Sequence, residues 1–103
     1  MTSGERVRIE LPQPFGPGMV KLAFVAGRQI LIVNAQGRLY AIDNRCPHAG
    51  GSLYGGKLVG ARLRCPSHGL LIDLASGCVA DSGGTGTRVY QLVEVPGGVE
   101  LTL

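Results

Sequence analysis

Hydrophobic and polar residues alternate along much of the chain. In the first such run, Val7, Ile9 and Leu11 alternate with charged residues, a pattern typical of a β-strand with one buried face. Clusters of glycine, proline and asparagine separate the runs that follow and indicate turns. Further strands are predicted at residues 19–25, 29–33, 39–42, 70–74, 89–95 and 99–103. Two short apolar segments, at residues 57–59 and 62–63, separate two loops that are rich in glycine, proline, cysteine and histidine. Because no stretch repeats with a helical period, the predicted fold class is all-β with antiparallel strands.

Length and composition indicate the number of domains and the cellular compartment of the protein. A chain of 103 residues, 45% of them hydrophobic, has room for one domain with a modest core. Residues 1–103 are therefore predicted to form a single domain. The N-terminus lacks a basic-then-apolar signal pattern, and the apolar run at residues 30–33 is far too short to span a membrane. We expect a soluble, cytoplasmic protein with no membrane partner.

The charge of the chain is unevenly distributed. The formal net charge is +3, and residues 38–68 contain five lysine and arginine residues against one aspartate. Residues 69–103 contain one arginine against four acidic residues. A nucleic-acid-binding surface would be expected to add aromatic platforms or a basic run, and neither accompanies the basic middle of the chain. We therefore predict that this region faces an acidic protein partner and that no nucleic acid binds.

Two short loops carry the candidate chemistry. They read C-P-H at residues 46–48 and C-P-S-H-G at residues 65–69. Two thiolates and two imidazoles suit either zinc or an iron–sulfur cluster. Zinc fingers commonly place a cysteine pair in one element and a histidine pair in another. Here each loop mixes the two types, so each loop can give its cysteine to one metal and its histidine to a second. This order favours a binuclear cluster, and a zinc site with the same four ligands stays open as the alternative.

These two motifs resemble those of the Rieske iron–sulfur family, and the sequence around them is similar to the small soluble Rieske ferredoxins. The resemblance implies an antiparallel β-sandwich with a small cluster-binding subdomain, formed by two loops, at about residues 45–73. It also implies one 2Fe–2S cluster per chain, with Cys46 and Cys65 on one iron and His48 and His68 on the other.

The same resemblance implies a function in electron transfer. Ferredoxins of this kind pass single electrons from a flavin-dependent ferredoxin reductase to a Rieske non-haem iron oxygenase. The chain is therefore expected to be a carrier and not itself an enzyme. Two alternatives stay open: the small Rieske-like subunit of nitrite reductase, and a zinc-stabilised structural or adaptor module. The nitrite reductase subunits commonly lack some of the ligands, whereas all four are present in this chain.

The sequence also departs from other members of the family. Membrane-complex members clamp the two loops with a disulfide, and the matching positions here are Gly51 and Ser67. The segment at residues 81–86, in the region that usually covers the cluster, contains no proline. Leu70 and Ile72 stand where high-potential members carry serine and tyrosine hydroxyls. Since neither side chain can donate a hydrogen bond to sulfur, we expect a low potential, on the order of −150 mV.

One further cysteine and two arginines lie close to the two motifs in the sequence. Cys78 lies outside both motifs, so we expect it to be a small hydrophobic core residue without a disulfide partner. Arg45 and Arg64 each precede a candidate ligand cysteine. They either steer an acidic partner or are ordinary solvated strand ends, and the sequence leaves both interpretations open.

Overall fold

The computed structural model describes residues 5–46, 51–66, 69–79 and 86–103. Strands and turns account for the regular structure of these ranges, and none of them contains a helix long and apolar enough to cross a membrane. The strands are β1 (Arg6–Glu10), β2 (Val20–Val25), β3 (Arg28–Ala35), β4 (Arg38–Asp43), β5 (Lys57–Val59), β6 (Arg62–Arg64), β7 (Leu71–Asp73), β8 (Val89–Val95) and β9 (Gly98–Thr102). This all-β architecture confirms the predicted fold class.

The strands form two antiparallel sheets. The larger has the order β1-β9-β8-β4-β3-β2 and the smaller the order β5-β6-β7. Tight turns join β2 to β3 and β3 to β4, and in them Ala26 and Gly27, then Gln36 and Gly37, have positive φ angles. Two consecutive positive φ angles are typical of the type I′ turn, whose twist matches that of the strands it joins. The turns thus fix the path of β4, which leads directly into the first cysteine loop.

Strand β3 is buried on both faces, and its alternating side chains contribute to two cores. Leu31 and Val33 belong to a core shared with the small sheet, while Ile30 and Ile32 belong to a second core formed with the rest of the large sheet. All four side chains are fully buried, and each such burial contributes about 1.5–3 kcal/mol. The core shared with the small sheet, which we call the loop-side core, consists of Leu31, Val33, Ala35, Ile42, Cys46, Leu53, Leu63, Cys65, Ile72, Leu74 and Val79.

Each predicted strand is present, with small shifts at the ends, and the two short apolar segments at residues 57–59 and 62–63 form the additional strands β5 and β6. Strand β1 ends at Glu10, one residue before Leu11, and β3 continues as far as Ala35. Strand β3 also begins at Arg28, one residue before the predicted start at residue 29, because the turn is formed by Ala26 and Gly27 and Arg28 already pairs with Val25.

The prediction that Cys78 is a core residue is wrong. Its side chain is exposed, whereas the next residue, Val79, is buried and pairs with Ile72. Side chains of successive residues in an extended segment point to opposite faces. The pairing that turns Val79 inward therefore turns Cys78 towards solvent.

Candidate metal centre

The first cysteine loop begins where β4 ends. Cys46 follows that strand by three residues, and its side chain is only 1% exposed. Its backbone N–H donates to the carbonyl oxygen of Gly51 across 2.7 Å, so the loop that carries residues 47–50 is closed by a hydrogen bond at its base. His48 lies in that segment, outside the described residues. A backbone hydrogen bond thus fixes the position of the buried cysteine at the start of the loop.

The second loop has a similar base. Cys65 follows β6 directly and is also 1% exposed. Its N–H donates to the carbonyl of Leu70 at 2.8 Å, and its carbonyl accepts from Gly69 N–H at 2.9 Å. Gly69 has a φ of +72°, a conformation that residues with a Cβ rarely adopt. Ser67 and His68 lie outside the described residues.

Both cysteine side chains belong to the loop-side core. Ile72 is a fully buried member of the same core, and Leu70 is half-buried and packs against it. The fold thus brings together Cys46 and Cys65, nineteen positions apart in the sequence, against an apolar wall. No group of three or more metal-binding side chains occurs within the described residues. A four-ligand set built on these two cysteines would therefore need members from outside the described residues, where both predicted histidine ligands lie.

Asn44, two positions before Cys46, is a buried, hydrogen-bonded residue that the sequence analysis did not single out. Its side chain is 7% exposed, and its Oδ1 accepts from the backbone N–H groups of Leu53 at 2.7 Å and Tyr54 at 2.8 Å. Its Nδ2 lies 3.0 Å from Oε1 of Gln29 and 2.8 Å from the hydroxyl of Ser52. Asn44 therefore ties the far side of the first loop to strand β3. No local sequence pattern signals this role, because the side chains that Asn44 contacts lie on another strand and beyond the first loop.

Gly56 brings the flanks of the two loops into contact. It lies between the first loop and β5, and its Cα side faces the carbonyl oxygen of Arg64, the residue before Cys65. A Cβ atom at this position would overlap with that oxygen and would also crowd the carbonyl of Leu53. The close approach of the two backbones therefore requires glycine at position 56.

The basic residues around the loops differ in their contacts. Arg45, Lys57 and Arg62 are exposed, as expected for a solvated basic surface. Arg64 is exposed as well, but its guanidinium donates to the carbonyl of Gly69 at 3.2 Å. Arg64 thus braces the second loop, a role that the sequence analysis did not consider.

A cluster of polar and charged side chains surrounds Tyr90, where β4 pairs with β8. The hydroxyl of Tyr90 donates to Oδ1 of Asp43. The guanidinium carbons of Arg88 and Arg28 lie 5.1 Å and 6.0 Å from the centre of the Tyr90 ring, within cation–π range. Burial raises the pKa of Tyr90 above its ordinary value, and the Asp43 carboxylate raises it further, while Arg28 partly opposes the shift.

Comparison with known proteins identifies relatives of the chain. Residues 7–91 match the family described as the Rieske [2Fe-2S] domain. The ferredoxin component of the naphthalene 1,2-dioxygenase system of Pseudomonas putida is 32% identical over 53 residues, which are 52% of this chain and 51% of that protein. Apoptosis-inducing factor 3 of Mus musculus is 36% identical over 56 residues, or 54% of this chain but 9% of that protein. The chain thus spans between about a tenth and a half of these relatives.

Solved structures share the fold. The ferredoxin of carbazole 1,9a-dioxygenase from Nocardioides aromaticivorans IC177 superimposes with a TM-score of 0.81 at 24% identity, covering 93% of this chain and 95% of that one. A chain from the oxygenase–ferredoxin complex of carbazole 1,9a-dioxygenase gives a TM-score of 0.86 at 20% identity, covering 98% of this chain and 29% of that one. At these identities, the similarity establishes the fold of the chain.

Proposed function

Since the chain belongs to the Rieske [2Fe-2S] domain family, we propose that it is a one-electron carrier that passes electrons from a flavin-dependent ferredoxin reductase to a Rieske non-haem iron oxygenase. The observation that carries this proposal is the burial of Cys46 and Cys65 in one core, at the bases of two hydrogen-bonded loops. The relatives of similar domain size are ferredoxin components of dioxygenase systems. A cytoplasmic location, where thiols stay reduced, is part of the proposal.

The residues of the two loops fit the family's 2Fe–2S cluster. We assign Cys46 and Cys65 to one iron and His48 and His68 to the other. The two sulfur donors come from different loops but share one apolar wall, which suits a cofactor that bridges the loops. Two thiolates with two neutral imidazoles leave an oxidised cluster less negative than four thiolates would, and this raises its potential above that of plant-type ferredoxins. When bound, the cluster supplies a redox centre that accepts and releases one electron.

The rest of the chain orients and shields this centre. The loop-side core excludes water from the cysteine side of the site, because its members are almost fully buried. Asn44 holds the first loop against strand β3, and the close approach of Gly56 to the carbonyl oxygen of Arg64 keeps the flanks of the two loops together.

Metal and sulfide analysis tests the proposal. Protein purified without air should contain two iron atoms and two acid-labile sulfides per chain. Cys46→Ser and Cys65→Ser should each lose both, because metal binding contributes folding energy to the loops. Cys78→Ser is the matched control: Cys78 is exposed, so this variant should retain the full iron and sulfide content. One zinc per chain without sulfide would contradict the proposal and favour the zinc-stabilised module.

A further inference from the structure

Strand β2 (Val20–Val25) forms one edge of the large sheet, and among the described residues no strand pairs with its outer side. Natural sheets protect such edges with short strands or with charged side chains. At the opposite edge, three of the five residues of β1 are charged and exposed, whereas β2 contains one charged residue among six. The edge strands of the small sheet, β5 and β7, are three residues long. Strand β2 is therefore the longest and most apolar edge in the described part of the chain.

The turn between β2 and β3 determines which backbone groups of β2 point out of the sheet. It contains two residues, at positions 26 and 27, so the pair that flanks it, Val25 and Arg28, is a hydrogen-bonded pair. Hydrogen-bonded and non-hydrogen-bonded pairs alternate along an antiparallel ladder. Residues 21, 23 and 25 therefore bond to β3, and the remaining residues of β2 direct their N–H and C=O groups outward. These outward-facing residues are Val20, Leu22 and Phe24.

The side chains of the outward-facing residues lie on one face of the sheet. Val20 and Leu22 are half-buried and pack against the loop-side core, and Phe24 shares their face because side chains repeat every two residues along a strand. Phe24 is nevertheless 73% exposed, and its cross-strand partner on β3 is the exposed polar residue Gln29. The edge of β2 thus combines backbone groups that no described strand pairs with an aromatic side chain that a neighbouring strand would cover.

A second copy of β2 matches this edge when the two strands run antiparallel about a two-fold axis at Leu22. Leu22 of one copy then faces Leu22 of the other, and Phe24 faces Val20. Each of these pairs brings outward-directed groups together, which gives about six hydrogen bonds between the copies. Directly opposed residues share a face of the sheet, so Phe24 packs on the apolar side chains of the second copy.

Charge selects the same arrangement. With the axis at Leu22, Lys21 faces Ala23 of the second copy, and the two lysines do not meet. An axis at Lys21 would place the lysines directly opposite each other, which is unfavourable. An axis at Ala23 would carry Val20 past the end of the partner strand and leave about four hydrogen bonds. The sequence of β2 is thus complementary to itself in the register centred on Leu22.

From these observations we propose that two copies of the chain form a symmetric dimer through antiparallel pairing of β2, with Leu22 on the two-fold axis and Phe24 packed on Val20 of the second copy. A two-fold pairing uses the same edge twice, so it closes at a dimer and leaves no β2 edge free. The dimer does not depend on the proposed function, because β2 contains none of the candidate cluster ligands. The axis is perpendicular to the sheet, so the loop-side cores of both copies lie on the same side of it.

Light scattering on the intact, cluster-containing protein tests whether this dimer forms. The measured mass should rise from 10.7 kDa towards twice that value between about 10 µM and 1 mM protein. Amide hydrogen exchange then locates the interface. The N–H groups of the outward-facing residues should become protected as the concentration rises, whereas those of residues 21, 23 and 25, which bond to β3 in both states, should change little.

Variants of Phe24 test the register. Phe24→Lys removes the aromatic packing and should raise the dissociation constant of the dimer about tenfold or more. Val93→Lys is the matched control, because Val93 is 64% exposed but lies on β8, an inner strand of the sheet. The control should change the dissociation constant by less than about twofold. Phe24→Pro removes an outward N–H that β3 does not use, so the monomer should fold without pairing at this edge.

Any of four results would overturn the inference. A mass of 10.7 kDa at every concentration would exclude the dimer, and equal losses in Phe24→Lys and Val93→Lys would mean that association responds to net charge alone. A dimer without protection of the outward amides would place the interface elsewhere. Protection of those amides by a different protein, without self-association, would assign the edge to that protein. Iron and sulfide analysis of the same samples keeps the two proposals apart, because a monomer with a full cluster refutes only the dimer.

Discussion

The Oδ1 atom of Asn44 lies 2.7 Å from the backbone nitrogen of Leu53, and this hydrogen bond joins the end of β4 to the far side of the first cysteine loop. Leu53 is fully buried in the same core as Cys46 and Cys65. The position of the first candidate ligand is therefore coupled to a polar side chain that is not itself a ligand. We therefore expect Asn44 to act as a positioning residue for the candidate metal centre.

Replacing Asn44 by alanine should loosen the first loop. The N–H groups of Leu53 and Tyr54 would lose their acceptor, at a cost of about 1–3 kcal/mol for a buried group. We expect cluster loss to a chelator, followed by the bleaching of visible absorbance, to become severalfold faster. Asn34→Ala is the control, since Asn34 is equally buried but bonds to Phe15 and Gly37. That variant should lose stability without faster cluster loss, and equal rates in both would argue against a specific role for Asn44.

Gly56→Ala should separate the two loops. A Cβ at position 56 would collide with the carbonyl oxygen of Arg64, and because both partners are backbone, the flank of one loop must move. We expect reduced iron and sulfide content and a lower melting temperature. Gly16→Ala provides the comparison, because nothing lies within 4 Å of a Cβ there. If Gly56→Ala assembled a full cluster with unchanged stability, the close approach of the loops would not matter for the site.

Strand positions could be predicted from the sequence, because period-two alternation and turn residues are local features of the chain. The Asn44 network could not, since its partner Gln29 lies on another strand and Ser52 beyond the first loop. Exposure of Cys78 depended on the pairing of Val79 with Ile72, which no local pattern specifies. The motifs alone were enough to propose the two cysteines as candidate metal ligands. Their burial in one core became evident only when the small sheet was placed against β3.

The pKa of Tyr90 should fall when Asp43 is neutralised. In the native protein burial raises this pKa and the Asp43 carboxylate raises it further, so Asp43→Asn should bring it back towards its ordinary value near 10. The ¹³Cζ resonance of Tyr90 followed through an alkaline titration measures the shift.

A raised tyrosine pKa also makes stability depend on pH. Since the folded state holds the Tyr90 proton more tightly than the unfolded state, this contribution is fully present below about pH 10 and is lost as pH rises through the folded pKa. In Tyr90→Phe, the free energy of unfolding measured at a series of alkaline pH values should no longer show this contribution. A higher Tyr90 pKa in Asp43→Asn than in the parent would contradict the assigned role of the carboxylate.

A hydroxyl placed beside the cysteines should raise the reduction potential. Leu70 is half-buried against the loop-side core, and Leu70→Ser would supply a donor where high-potential members carry one. A hydrogen bond to sulfur that is about 1.4 kcal/mol stronger in the reduced state shifts a one-electron couple by about 59 mV. Leu70→Ala removes the same packing without adding a hydroxyl, so it should move the potential much less. Equal shifts in the two variants would assign the effect to packing or solvent access.

The most direct test of the account is a redox titration of the native protein followed by electron paramagnetic resonance. The account predicts a single one-electron step per chain with a midpoint on the order of −150 mV, and a signal in the reduced state that is absent from Cys46→Ser and Cys65→Ser. A clearly positive midpoint would contradict the low-potential carrier fed by a flavin reductase. A protein with no redox step at all would contradict the electron-transfer function itself.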